Sequence, residues 1–253
     1  MADGTLLGGK TALVTGASSG LGRHAALVLA RAGASVVVAA RRGELLEEVA
    51  GEIADSGGRA RAVTLDLADG ASIRDAVAAG EAALGPIDIL LNNAGVSIQK
   101  WAVDYDEPEY DYIHDVNQKG AWLMAQTVGR RMIEAGRGGK VINVASMAAI
   151  RTLGQLSIYS MTKVALVQMT KSLALEWASH DIQVNCIAPG YIETPINQAY
   201  WRDERGRQLI KRLPRRRIGT PDVLDGALLL FASRQSDFVT GTVLPVEDGQ
   251  NFM

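Results

Sequence analysis

The chain has 253 residues, 47% of them hydrophobic, which is enough for a sizeable core and does not require more than one domain. Its 26 Lys+Arg stand against 28 Asp+Glu, and a formal charge of -2 argues against a nucleic-acid or membrane surface. One cysteine, Cys186, excludes an intrachain disulfide and fits a reducing compartment.

The opening "MADGTLLGGK" lacks the basic-then-apolar layout of a secretory signal. No apolar run approaches the about 18–20 residues that a membrane-spanning helix needs, so a cytoplasmic protein is the expectation. His24, His114 and His180 stand singly, none at metal-ligand spacing from another or from Cys186, and no catalytic metal is expected.

Along the chain, short apolar runs alternate with amphipathic stretches. The runs are "TALVTG" (Thr11–Gly16), "SVVVAA" (Ser35–Ala40), "ARAVTLD" (Ala60–Asp66), "IDILLNNAG" (Ile87–Gly95), "KVINVAS" (Lys140–Ser146), "IQVNCIAP" (Ile182–Pro189) and "TGTVLPV" (Thr240–Val246). Near-continuous apolar character predicts parallel strands covered on both faces. Between them, "RHAALVLARAG", "GELLEEVAGEIADSGG" and "SIRDAVAAGEAALG" repeat apolar residues at three and four, with Gly33 and Gly85 at helix ends. The alternation predicts an α/β fold, one doubly wound Rossmann-type domain over residues 1–253 with a mostly parallel seven-stranded sheet.

The first run leads into "TGASSGLG", Thr15 to Gly22. Gly16, Gly20 and Gly22 allow a tight turn with backbone close to a bulky anion. The helix that follows offers free N–H groups and a positive dipole end, so the turn reads as a pyrophosphate site. A second irregular stretch, 190–221, "GYIETPINQAYWRDERGRQLIKRLPRRRIGTP", separates the last two predicted strands. Ligands of open α/β sheets bind beyond the carboxyl ends of the strands, where this insertion is placed to cover them. Its Tyr191, Tyr200 and Trp201 fit a hydrophobic lid, and its "RLPRRR" reads most simply as a solvated charged face.

"SIYSMTKVAL" sets Tyr159 one helical turn before Lys163, on one face of a predicted helix. By itself that spacing arises often by chance. A tyrosine, with a pKa of about 10, can nevertheless serve as a proton donor and acceptor near neutral pH if its phenolate is stabilised by about 4 kcal/mol. A nearby ammonium contributes in that direction, whereas burial alone acts the opposite way.

The motifs together resemble the short-chain dehydrogenase/reductase family in its compact form. They are "TGASSGLG", "DL" at Asp66–Leu67, "NNAG" at Asn92–Gly95, Asn117, Ser146, "YSMTK" at Tyr159–Lys163 and "PG" at Pro189–Gly190, in the family's order from Leu7 to about Gly249. The resemblance implies an oxidoreductase that interconverts a ketone or aldehyde and a mainly secondary alcohol. Tyr159 would be its general acid/base, Ser146 a hydrogen-bond donor to the substrate oxygen, and Asn117 and Lys163 members of a proton relay. Lys163 would also hold the nicotinamide ribose.

The implied cofactor contacts are Gly16, Ser18, Ser19, Gly20, Leu21 and Gly22 in the turn, and Asp66 and Leu67 at the adenine. Asn93, Ala94 and Gly95 would form the opposite wall, with Pro189, Gly190, Ile192 and Thr194 beside the nicotinamide. An NAD site usually has an acid about 20 residues beyond the glycine turn. Here "VVVAARRGELL" has Ala40 followed by Arg41 and Arg42, which would bind a 2′-phosphate, so NADP(H) is expected over NAD(H). Ser97, Trp101, Met147, Leu153, Tyr191, Ile196, Tyr200 and Trp201 are the candidates to face substrate beside Ser146 and Tyr159, and suggest a moderately hydrophobic small molecule.

Three other readings compete. A non-catalytic cofactor-binding regulator would typically lack the tyrosine or lysine, and this chain keeps both. A 3-oxoacyl-carrier-protein reductase usually has an arginine where "LALEWAS" has Leu175. An extended-family epimerase or dehydratase is disfavoured by the glycine spacing. By the same resemblance a homotetramer is expected, built on the helices carrying Asn117 and Tyr159.

Overall fold

A computed structural model of the chain describes residues 5–252; residues 1–4 and 253, including the first part of the stretch inspected for a leader, lie outside the described residues. Seven strands form one sheet, β1 (Thr11–Thr15), β2 (Ser35–Ala40), β3 (Arg59–Thr64), β4 (Ile89–Asn92), β5 (Gly139–Val144), β6 (Ile182–Pro189) and β7 (Val243–Val246). Their order is β3-β2-β1-β4-β5-β6-β7, and every pairing is parallel. The chain winds outward from β1 to β3, then returns to lay β4 on the other side of β1. That reversal opens a crevice at the carboxyl ends of β1 and β4, where α/β sheets of this kind bind ligands.

The β-branched runs predict these strands because their side chains pack on a pleated surface covered on both faces. On one face, Leu27 and Val28 of α1 (Gly20–Arg31), Leu46 and Val49 of α2 (Gly43–Asp55) and Phe231 of α9 (Asp225–Ala232) pack over Val14, Val36 and Val38. On the other, Ile73 and Val77 of α3 (Gly70–Leu84), Met124 and Val128 of α5 (Ala121–Ala135) and Leu173 of α6 (Ser157–Glu176) cover Leu13, Val37 and Leu90. Val14 is in register with both Val38 and Leu91, which aligns the ends of three strands at the crevice.

The runs differ from the strands mainly at their ends. "NNAG" leaves the ladder after Asn92, and the first run stops at Thr15. β3 departs from the expectation of two covered faces: Arg59, Arg61 and Thr64 are exposed, because it is an edge strand with alternating sides. α1 begins at Gly20 rather than near Arg23, so the last two glycines of the turn belong to the helix. Among the described residues no helix is long and apolar enough to cross a membrane, and no group of His, Cys, Asp and Glu could hold a metal ion.

Candidate active site

The glycine turn is held against the end of β4 by one threonine. Thr15 Oγ1 accepts from Asn93 N and Ala94 N, both at 3.0 Å, while Asn93 Nδ2 donates to Thr15 O at 2.9 Å. Two glycines are dictated by this contact. A Cβ on Gly16, which has φ +69°, would come within 2.9 Å of Ala94 Cα, and one on Gly22 within 2.3 Å of Gly16 O. Asn92 points into the protein instead, donating to Ala121 O and Asn143 Oδ1 at 3.1 Å each. The asparagine pair therefore fastens two neighbouring layers of the fold.

Ser19 stands at the N-cap of α1 without capping it, so the first N–H groups of the helix are not met by that side chain. Arg42 Nη2 instead reaches Ser18 Oγ at 2.9 Å and Ser19 Oγ at 2.8 Å. Arg41 Nη2 lies 3.5 Å from the Tyr112 hydroxyl, so the two arginines flank the end of β2 in different directions. Asp66 folds back on its own turn: its N–H donates to Ser72 Oγ at 2.9 Å and its carboxylate accepts from Ala68 N at 3.0 Å. Leu67 is buried, its carbonyl within 2.5 Å of where a Cβ on Gly120 would stand.

Asn117 lies in a π-helical turn, Asp115–Gly120, between α4 (Glu107–His114) and α5. The wider turn resolves the awkward position of an asparagine in mid-helix, and such turns recur at functional sites. The side chain is fully buried and donates to Val96 O at 2.8 Å and Thr162 Oγ1 at 3.2 Å, while accepting from Val96 N at 2.7 Å. It thus ties the residue after "NNAG" to the helix turn that separates Tyr159 from Lys163.

Ser146 leaves β5 in extended conformation and its Oγ accepts from Ala148 N at 3.1 Å. Tyr159 is the third residue of α6, and Lys163 Nζ sits 5.6 Å from its ring centroid. Nζ donates to Val144 O at 2.8 Å. Burial raises the Tyr159 pKa and the Ser146 hydroxyl pulls it down. Burial also pushes Lys163 down to about 8, with Cys186 opposing, and Cys186 itself is raised by burial to about 11. The expected lysine effect on the tyrosine is thus not the leading influence here, because Nζ lies over the ring and is spent on a carbonyl. A Cβ on Gly95 would meet both Asn117 Oδ1 and Lys163 Nζ at 3.3 Å, so Gly95, Asn117 and Lys163 converge on one point.

β6 ends at the buried Pro189, and the chain passes through Gly190 into the insertion. Ile192 is buried and forms a parallel bridge to Gly219, with Glu193 N to Gly219 O at 2.8 Å and Gly219 N to Tyr191 O at 2.9 Å. The insertion therefore leaves and returns at one place, with α7 (Gln198–Arg202) and α8 (Glu204–Arg212) between. Thr194 crosses the glycine turn, its Cβ 3.7 Å from where a Cβ on Gly20 would be. Asn197 pins this crossing, accepting from Thr194 N and donating to Ile192 O.

The predicted substrate-facing residues divide. Tyr191, Tyr200 and Trp201 form one aromatic cluster, with Trp201 edge-on to Tyr191 at 5.3 Å and to Tyr200 at 4.9 Å. Leu153 is partly buried and Ser97 exposed. Met147 is 2% exposed and packs in the interior. Ile196, 85% exposed, and Trp101, 61% exposed, point into solvent. A hollow of about 510 Å³ lined by Gln126, Arg130, Ile133, Glu134 and Trp177 belongs to the α5 side, away from these residues. Thr15 and Thr162, which tie the site together, each sit inside one of the motifs, whereas Arg151 and Gln250 lie outside them all.

A family model described as short chain dehydrogenase matches residues 10–205. A 2-dehydro-3-deoxy-D-gluconate 5-dehydrogenase of Dickeya dadantii is 37% identical over 96% of this chain and 96% of its own. A D-threitol dehydrogenase of Mycolicibacterium smegmatis is 37% identical over 96% of this chain and 93% of its own. Among solved structures, a gluconate 5-dehydrogenase from Burkholderia cenocepacia in complex with NADP and tartrate superimposes with a TM-score of 0.93, at 37% identity, covering 98% of this chain and 97% of that one.

Proposed function

The chain belongs to the short-chain dehydrogenase family and is an oxidoreductase, and from that premise we propose how its site works and on what. The reaction is NADP(H)-dependent interconversion of a secondary alcohol and its ketone on a small polyhydroxylated molecule, of the sugar-acid or polyol kind named for the relatives, in place of the moderately hydrophobic substrate that the aromatic candidates suggest. The observation that carries it is the convergence of Ser146, Tyr159, Lys163 and Asn117 beside a glycine cradle that a single Cβ would fill.

The residues present fit a phosphorylated dinucleotide. Gly16, Gly20, Leu21 and Gly22, with the uncapped start of α1, suit a pyrophosphate. Arg42, already on the Ser18 and Ser19 hydroxyls, and Arg41 beside it suit a 2′-phosphate. On this reading Asp66 and Leu67 meet the adenine, Asn93, Ala94 and Gly95 form the opposite wall, and Pro189, Gly190, Ile192 and Thr194 lie beside the nicotinamide. Bound there, NADP(H) supplies the hydride acceptor or donor.

In the oxidation direction Tyr159 Oη takes the alcohol proton, and in reduction it returns one to the developing alkoxide. Ser146 hydrogen-bonds the same substrate oxygen and favours the charged form of the phenol. Lys163 stands over the Tyr159 ring, anchored on Val144 O, and Asn117 fixes the helix turn that holds both. The 190–221 segment covers the substrate through Tyr191, Tyr200 and Trp201. A cytoplasmic homotetramer is part of the same reading: Trp122 on α5 and Met161, Val164 and Leu175 on α6 are exposed and give these helices an apolar face. Sedimentation tests the tetramer.

The reading is tested by following NADPH at 340 nm (roughly the reduced nicotinamide band) over sugar acids, polyols and their ketones. Turnover with NADP should exceed that with NAD, and Tyr159→Phe should lower kcat by about 10³-fold while NADPH binding stays intact. Substantial turnover in that variant refutes the role given to Tyr159.

A further inference from the structure

Arg151, five residues beyond Ser146, is a cation without a counter-charge. It is partly buried, and among the described residues it makes no ion pair. Its backbone N–H bonds Met147 O at 2.8 Å, which keeps it on the turn that follows Ser146. Of five guanidinium N–H groups, one is spent, by Nη1 on the carbonyl of Gln250 at 2.8 Å. Gln250 is 2% exposed and its side chain accepts from Tyr191 N at 2.8 Å, so the guanidinium is carried beside the entrance to the covering segment. The positive charge is felt there: burial raises the Tyr191 phenol and Arg151 opposes it.

A second donor lacks a partner in the same cluster. Trp201 packs edge-on against Tyr191, is 7% exposed, and its Nε1–H has no hydrogen-bond acceptor. A buried indole N–H left unpaired costs free energy, and an acceptor from outside would remove that cost. Arg151 and Trp201 are thus linked through Tyr191, the first by its charge and through Gln250, the second by ring contact, and both keep donors unspent. An acceptor-only group with a planar pair of oxygens complements a guanidinium fork better than a hydroxyl does.

We propose that Arg151 is a specificity-determining residue that binds the carboxylate of a hydroxy-acid substrate, with the Trp201 indole N–H as a second donor. On this inference the enzyme selects sugar acids over neutral polyols of the same length. It rests on the catalytic reading above, and narrows the substrate of that same site.

The experiment compares D-gluconate with D-glucitol, which differ in having a carboxylate or a CH2OH at one end, using NADP and the full-length protein. Wild type should favour gluconate in kcat/KM. Arg151→Gln should raise the KM for gluconate on the order of 10- to 100-fold, with glucitol turnover and NADPH affinity unchanged to about twofold, and Arg151→Lys should recover part of the loss. Equal loss on both substrates would show Arg151 to be an anchor for the Gln250 segment only, and overturns the proposal. So does a wild-type enzyme that prefers glucitol or does not discriminate. If neither compound is turned over with either cofactor, the catalytic reading fails separately. Calorimetric binding of gluconate to the NADP-loaded protein then decides Arg151: weaker binding to Arg151→Gln supports it, and equal or absent binding to both proteins overturns it.

Discussion

At the junction of β1 and β4 strand ladders and close glycine backbone do most of the holding, with Thr15 and Asn93 as ties, whereas across residues 190–221 side chains carry a larger share. The first region is fixed by parallel ladders on both sides of β1, by Thr15 bridging to Asn93 and Ala94, and by glycines where no Cβ fits. The second has a single bridge, Ile192 to Gly219, then short helices held by Asn197, by aromatic edges, and by Arg215 and Arg217 on Asp248. A nucleotide common to many enzymes is met by the region with little freedom to vary. On the proposed reading, a particular substrate is met by the region that can change one side chain at a time.

The contrast can be broken at its rigid end first. Gly22→Ala puts a Cβ against the Gly16 carbonyl, which is backbone and cannot turn aside. The expected cost is about 3 kcal/mol of stability, read from denaturant midpoints, with NADP affinity lost alongside. A variant as stable as wild type would show that the turn yields, and that the two regions differ less than described. Next, Arg42→Ala should weaken NADP binding by roughly 30-fold and leave NAD binding alone, while Arg41→Asp should reverse the preference. Fluorescence titration with both nucleotides separates the two arginines, and an unchanged ratio in both variants removes the 2′-phosphate assignment.

A smaller effect concerns Lys163, which lies between the regions. Its folded pKa, about 8, is below its value in the unfolded chain. Between these values the unfolded chain binds more protons, so this group's contribution makes stability rise with pH. Cys186, raised to about 11, and the raised Tyr159 act in the opposite sense only as their own unfolded forms begin to ionise. Between pH 8 and 9 the Lys163 contribution is about 1 kcal/mol, and the smaller opposing one of Cys186, whose unfolded thiol already ionises there, is common to both proteins compared. Urea midpoints without added cofactor should therefore climb across that window in wild type relative to Lys163→Met. Parallel profiles would mean that the ammonium is better solvated than its burial indicates. Smallest of all, Asp248→Asn should cost under about 1 kcal/mol, since its arginine partners are exposed. A larger drop would mean the far wall is more rigidly built than its contacts suggest.

What could be read beforehand follows the same division. The strands, the glycine turn and the Tyr159–Lys163 spacing are local patterns, and the residues that form them also carry the chemistry. β3 was harder to read, because its outer arginines become informative only once it is known to be an edge. The π turn at Asn117 depends on partners far along the chain, Val96 and Thr162, which no period in "DVNQKGAW" announces. Met147 and Ile196 have the same apolar character in the sequence, yet one is packed inside and the other stands in solvent. Arg151 and Gln250 meet across 99 residues through a main-chain carbonyl, a contact that leaves no mark on side-chain identity.

The Ile192–Gly219 bridge has a consequence beyond this molecule. Because residues 190–221 depart from and return to the sheet at one closed neck, the chain between is a cassette whose length is uncoupled from the sheet. Doubling a flexible loop adds only about 0.6 kcal/mol of closure cost, so insertions there are nearly free for the fold. A lineage can therefore lengthen, shorten or exchange this stretch to reach new alcohols while inheriting the hydride chemistry intact.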